Sequence, residues 1–187
     1  LVTIALHVDR HGDASAVTVE MGRATFQPAS LPCTLATNEL IEQPIDAAGQ
    51  SLTFTGVSVG NPHCVVFKPA GQSWSREDLL KLGPALENHS LFPKRTNVQL
   101  AVPTGPKELF ILIWERGAGE TQASGSSSCA AASAAVRLGL VKSPVTVKMP
   151  GGQLNIEVAE DFGLTMKGPV AEVARGSLSP SFVRGLK

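Results

Sequence analysis

The stretch from Leu109 to Leu138 constrains this chain more than any other. It opens on an unbroken apolar run, Leu109-Phe110-Ile111-Leu112-Ile113-Trp114, which reads as a buried strand. Two adjacent charges, Glu115 and Arg116, end that run. A turn of mostly small residues follows, from Gly117 to Ser128. Cys129-Ala130-Ala131-Ala132-Ser133-Ala134-Ala135-Val136-Arg137-Leu138 then reads as an alanine-rich helix closed by Gly139. Alanine leaves a helix thin enough to lie close against a sheet, or at the centre of one. A strand, a small-residue turn and such a helix in succession call for layered α and β structure. The unpaired backbone N–H groups at the helix start favour an anion.

The remaining pattern is mostly short strands. Val2–Leu6 and Ala16–Met21 flank the polar stretch Asp9–Asp13 and read as a hairpin. Leu52–Val59 reads as a strand with a bulge at Gly56. Cys64–Phe67, Val98–Val102, Val145–Met149 and Leu154–Val158 follow, separated by glycine and proline punctuation. One further helix is expected over Arg76–Glu87. Ser75 caps it, Asp78 completes a capping box, and Leu79, Leu82 and Leu86 recur at helical spacing. Gly83-Pro84 should bend or break it midway. The alanine-rich helix is expected to begin after Ser128. Many strands with one buried helix make an α+β fold.

Composition narrows function mainly by exclusion. The 187 residues carry 16 basic and 16 acidic side chains, with no long basic block, so no nucleic-acid surface is indicated. No apolar run approaches the ~18 residues of a membrane span. Leu1–Leu6 lacks the basic start of a signal peptide. The three cysteines form no Cys-x-x-Cys pattern, so neither a disulfide framework nor a metal site is expected. Cys64 and Cys129 sit among apolar or small residues, where free cysteine behaves as a buried hydrophobe. Reduced, cytoplasmic residence is the simplest expectation.

Taken singly, the polar residues say little. Asn61 precedes Pro62 and is biased towards an extended or turn conformation, where asparagine often bonds its own backbone. His63 alone reads equally well as a structural histidine. Glu115 and Arg116 are neighbours on a strand, face opposite sides and should find different partners.

In combination these segments resemble the diaminopimelate epimerase family. Glu115-Arg116-Gly117-Ala118-Gly119-Glu120-Thr121, then Ala123-Ser124-Gly125, a Cys and an alanine run, is similar to its second catalytic segment. Gly60-Asn61-Pro62-His63-Cys64-Val65-Val66-Phe67, Arg95-Thr96-Asn97-Val98 and Val19-Glu20-Met21-Gly22 resemble three more of its motifs, in order. Met166-Lys167-Gly168-Pro169-Val170 fits its closing strand. The resemblance covers roughly Val17 to Gly176. It implies a barrel of mostly antiparallel strands around a central helix.

It also implies a cofactor-independent epimerase or racemase acting on a small amino acid, in lysine and cell-wall precursor biosynthesis. Asn61, Asn97 and Arg116 would hold the distal end of the substrate, and Arg116 suits a carboxylate. Glu115 would hold the α-ammonium. Gly125 and Ser126 would offer backbone N–H groups to the reacting carboxylate. His63 would lie beside residue 124 and tune it. The family carries a catalytic Cys where this chain has Ser124, and Cys129 matches a later, non-catalytic Cys. The family also has two domains, each supplying one acid/base residue. Residues 1–13 are therefore expected to end a first domain, and 14–187 to form the second. A missing N-terminal domain and a homodimer are the expected partners. Two alternatives stay open: a one-thiol isomerase or dehydratase of the same fold, and a non-catalytic small amino-acid binding module.

Overall fold

In the computed structural model, which describes residues 3–174 and 176–186, eleven strands join into one sheet. They are β1 (Ile4–Val8), β2 (Ala14–Arg23), β3 (Gln43–Ala47), β4 (Gln50–Ser58), β5 (Pro62–Phe67), β6 (Asn97–Gly105), β7 (Glu108–Glu115), β8 (Gly119–Thr121), β9 (Val145–Met149), β10 (Gly152–Val158) and β11 (Gly163–Pro169). The helices among the described residues are α1 (Arg76–Glu87), α2 (Gly125–Arg137) and the short α3 (Pro180–Arg184). The strand order is β1-β2-β11-β10-β9-β7-β6-β5-β4-β3, with β8 paired to β7 off that path. Pairing is antiparallel except for β5 with β6 and β7 with β9. A further bridge joins Thr25, just past β2, to Ser58 at the end of β4.

The expected hairpin at the start is present, with Ile4 opposite Val19 and Leu6 opposite Val17. Leu1 and Val2, where its first strand was expected to begin, lie outside the described residues. Three strands went unread from pattern. β3 carries Pro44 and lies at the edge of the sheet, where a missing N–H is tolerated. β8 is only three residues long, and β11 was suggested by the resemblance alone.

The central strands are apolar on both faces because each face meets a helix. Cys64, Val66, Val98, Leu100 and Leu112 pack with Leu79, Leu82 and Leu86 of α1. The alternate residues Val65, Ala101, Ile111 and Ile113 pack with the alanines of α2. Cys129 through Ala135 are all fully buried. α2 contacts β4, β5, β6, β7, β9, β10 and β11. No helix among the described residues is long and apolar enough to cross a membrane.

Three local expectations need correction. α1 has its capping box, with Asp78 N donating to Ser75 Oγ at 3.0 Å and Ser75 N to Asp78 Oδ2 at 2.9 Å. Yet it runs unbroken through Gly83 and Pro84. Pro84 sits in the last turn, so it forfeits one helical bond, to Leu80 on the exposed side. Gly83 serves close approach instead of a hinge: a Cβ there would lie 2.6 Å from the Trp114 indole. Gly56 likewise makes no bulge, because β4 and β5 stay in register past it. A Cβ at Gly56 would come within 2.7 Å of Leu40. Finally, α2 begins at Gly125, one turn before the expected start. Ser124 caps it, and Ser128 Oγ folds back onto Ser124 O at 2.8 Å, so the serine run is the first helical turn.

Candidate active site

β5 and β6 run parallel and β7 runs against β6, so the start of β5, the start of β6 and the end of β7 share one end of the sheet. His63 lies beside Asn97, Gln99 beside Ile113, and Ile113 beside Thr121 of β8. Three residues then lead from Thr121 to the first residue of α2. Topology therefore gathers Asn61, His63, Asn97, Glu115, Arg116 and the start of α2 at one end.

Asn61 and His63 are two apart on an extended segment and share a face. The Asn61 Oδ1 atom lies 3.0 Å from His63 Nε2. Burial drives the His63 pKa from 6.5 down to about 3; the adjacent Gln99 side chain opposes this and the Arg116 charge adds to it. His63 is thus a neutral imidazole at physiological pH. Its bond goes to Asn61, whereas the bonds of Ser124 go to the first turn of α2. Between His63 and that turn stands Gln99, buried, with its amide 3.0 Å from Ser127 Oγ.

Asn97 is buried and works inside the protein. Its Nδ2 donates to Pro62 O at 2.8 Å, and its Oδ1 accepts from Arg116 N at 2.9 Å. It ties the start of β5 to the end of β7. Arg116 is exposed, with a guanidinium nitrogen 3.2 Å from Lys94 O. Among the described residues, Glu115 and Arg116 make no mutual ion pair, in keeping with their opposite facing. By alternation with Ile111 and Ile113, Glu115 falls on the α2 side.

Glu87 is the organiser that the sequence did not reveal. Its carboxylate is 7% exposed, and it accepts from Trp114 Nε1 at 2.7 Å, Gly117 N at 2.8 Å and Arg95 at 3.1 Å. One buried charge, compensated by three donors, therefore fixes both ends of the Glu115-Arg116 corner. Gly117 itself has φ +81°, a left-handed turn position suited to glycine. Gln99 had a legible signal, since it shares a face with Asn97 two residues before it. Glu87 had none, because its partners lie 8 to 30 residues away.

At the helix start, Ser124 Oγ accepts weakly from Ser127 N, at 3.5 Å. Among the described residues, the N–H groups of Gly125 and Ser126 have no protein acceptor. A hollow of about 280 Å³ opens here, lined by Ser124, Gly125, Gly152 and Leu154. Gly151 holds the loop ahead of it: its N–H donates to Gln122 O at 2.8 Å. A larger cleft, about 390 Å³, lies by Phe67 at the far end of β5 and Leu138 at the far end of α2. It contains none of the site residues, so its size carries no functional weight. Cys64 and Cys129 are both buried thiols; burial lifts Cys64 far above the usual range and Cys129 to about 12. Neither supplies a thiolate near neutrality.

The sequence profile of the diaminopimelate epimerase family matches residues 55–173. A diaminopimelate epimerase of Desulfitobacterium hafniense is 40% identical over 176 residues, 94% of this chain and 61% of that protein. One from a Synechococcus strain is 42% identical over 164 residues, 86% of this chain and 58% of its own length. The chain thus spans about 60% of the length of these relatives. In three dimensions it is similar to a hydroxyproline epimerase from Agrobacterium vitis, with a TM-score of 0.62 at 14% identity, covering 90% of this chain and 53% of that one. It is also similar to a phenazine biosynthesis protein from Bacillus anthracis, with a TM-score of 0.53 at 14% identity, covering 89% and 60% of the two chains. These likenesses share a mixed α+β fold with a large sheet and few helices. Profile match and identity together show that the chain belongs to the diaminopimelate epimerase family.

Proposed function

We propose that this chain forms one half of a cofactor-independent amino-acid epimerase, with its acid/base group at Ser124 and the second such group supplied by a further domain. The carrying observation is the convergence of Asn61, Glu115, Arg116 and the Gly125 and Ser126 N–H groups, unpaired among the described residues, around the end of one sheet. The fold reading behind it is a barrel: the Thr25–Ser58 bridge brings β2 round to β4, and the strands enclose α2.

Removing an α-proton leaves negative charge that spreads onto the substrate carboxylate. The N–H groups of Gly125 and Ser126, with the helix dipole behind them, stabilise that charge without reorganising. Arg116 presents an exposed guanidinium fork to a distal carboxylate. Glu115 balances an α-ammonium. Ser124 stands at the cap, where its hydroxyl donates a proton to a carbanion. It is a poor base, because a hydroxyl ionises far less readily than a thiol, whose ordinary pKa is roughly 8.5. The two directions of the reaction should therefore differ strongly in rate.

The test is α-proton exchange in deuterated water with the complete gene product and a panel that includes the diaminopimelate stereoisomers. Exchange with inversion supports the epimerase. In that protein, Ser124→Cys should speed exchange in the slow direction by at least tenfold; no gain removes Ser124 from the acid/base role. A second reading rests on Ser124 itself: with only one good acid/base group, the site would abstract a proton and then isomerise or eliminate. Exchange without inversion favours it. No exchange across the panel, with binding retained, favours a small amino-acid binding module.

A further inference from the structure

The polar residues between β5 and α2 contain an unresolved pairing. Gln99 Nε2 donates to Ser127 Oγ at 3.0 Å, which leaves Gln99 Oε1 buried without a partner. His63 Nδ1 is buried without a partner as well. Among the described residues these are the two buried side-chain N or O atoms left unpaired, and they belong to neighbouring side chains. Leaving both orphaned is far costlier than pairing either.

The protonation of His63 follows from its other nitrogen. Nε2 lies 3.0 Å from Asn61 Oδ1, which only accepts, so Nε2 carries the proton. Nδ1 of the neutral ring is then an acceptor and needs a donor. Gln99 Oε1 is not one. The two ends of a carboxamide are nearly the same size, so exchanging them disturbs no packing. With the ends exchanged, Gln99 Nε2 donates to His63 Nδ1, and Gln99 Oε1 accepts from the Ser127 hydroxyl. One rotation thus sets a donor against an acceptor at both contacts, where the other orientation sets two acceptors against each other at one of them. Turning Asn61 instead, with Gln99 left as it stands, would also match Nδ1 with Oε1, but it leaves the O–H of the fully buried Ser127 without an acceptor among the described residues.

We propose that Gln99 and Ser127 are positioning residues: they lock His63 as the neutral Nε2–H tautomer, and His63 in turn fixes the Asn61 amide with its Nδ2 donors free for a ligand. The order runs Ser127 Oγ–H to Gln99 Oε1, Gln99 Nε2–H to His63 Nδ1, and His63 Nε2–H to Asn61 Oδ1. Each member spends its donor on the next. The polarity of the whole relay is set at the first turn of α2, where the Ser127 hydroxyl must donate. Asn61 then offers only N–H groups, so the ligand atom it meets is an acceptor such as a carboxylate oxygen. That last clause rests on the proposed function; the relay itself rests on pairing alone.

The experiment is a long-range 1H–15N correlation spectrum of the chain with labelled histidine. The sequence has four histidines, and the His63 signals are assigned by their loss in His63→Gln. The expected result is a pyrrole-type Nε2 and a pyridine-type Nδ1 through the neutral pH range. Gln99→Glu replaces the donor by a group that only accepts, so the proton should move to Nδ1 or the ring should become imidazolium. Ser127→Ala should leave a mixture of tautomers. A wild-type His63 protonated on Nδ1 overturns the relay, as does a tautomer unmoved in both variants. If neither variant folds, the wild-type spectrum decides alone. Where the complete protein turns over an amino diacid, Gln99→Glu should raise KM roughly tenfold, the loss of about one hydrogen bond to a charged group, with a smaller change in kcat. An inactive wild type that keeps the Nε2–H tautomer would sink the proposed function and leave the relay standing.

Discussion

The two faces of the central strands β5, β6 and β7 are built from different materials. Towards α1 the strands present Cys64, Val66, Val98, Leu100 and Leu112, and the helix answers with leucines. Phe54 and Phe92 complete that side with an edge-to-face ring pair at 5.4 Å. Towards α2 the helix offers alanines and serines, and the strand ends carry His63, Asn97 and Gln99. Large side chains hold α1 at a distance and stabilise by area. Small ones bring the axis of α2 close, so that its first turn can touch polar strand residues directly. The difference separates roles: one face fastens the sheet, and the other positions a helix start against it.

The largest effect that would sharpen this contrast is acid. His63 has a folded pKa of about 3 against an ordinary 6.5, so below pH 6.5 the unfolded chain binds the proton more readily than the folded one. Stability from this residue is fully present above pH 6.5 and falls as pH drops towards 3, by up to about 1.4 kcal/mol per unit. Urea unfolding of wild type and His63→Gln across that window measures it; equal slopes would place the acid sensitivity elsewhere.

Next come paired core substitutions. Leu82→Ala on the α1 side should cost about 3–4 kcal/mol, because it removes a fully buried side chain and leaves a cavity. Ala131→Leu on the α2 side should also destabilise, by about 1–3 kcal/mol, because there is no room to fill. A stabilising Ala131→Leu would break the close-packing account of α2.

Glu87→Gln probes the join between the two faces. An amide keeps the volume but turns a donor towards Trp114 Nε1 or Gly117 N. A loss of about 2–3 kcal/mol is expected, with a shifted Gly117 amide resonance as the local signature. Arg116→Ala should leave stability nearly unchanged, since the residue is exposed, while weakening a ligand with a distal carboxylate by about 2–4 kcal/mol. Calorimetric titration against diaminopimelate separates the two, and unchanged affinity would remove the carboxylate clamp.

Much of the candidate site could be read from local pattern, and the limits of that reading have physical causes. Asn61, His63, Asn97 and the Glu115-Arg116 corner stand at strand ends that were legible as apolar runs beside polar turns. Gly83 and Gly56 were misread because glycine signals hinge or bulge only when nothing presses on it, and what presses here, Trp114 and Leu40, is distant in sequence. The helix start was misread because serine disfavours helix interiors unless its hydroxyl can bond back, as Ser128 does.

The sequence by itself determined most of the strands, the two longer helices and the family, because these rest on alternation, alanine runs and motif order within short windows. Only the tertiary structure decided that Glu87 holds the Glu115-Arg116 corner, that Asn97 is spent on Pro62 and Arg116 backbone groups, and that Gln99 stands between His63 and α2. Each of these depends on which strands become neighbours. That choice is made by burial summed over the whole sheet, and no local window contains it.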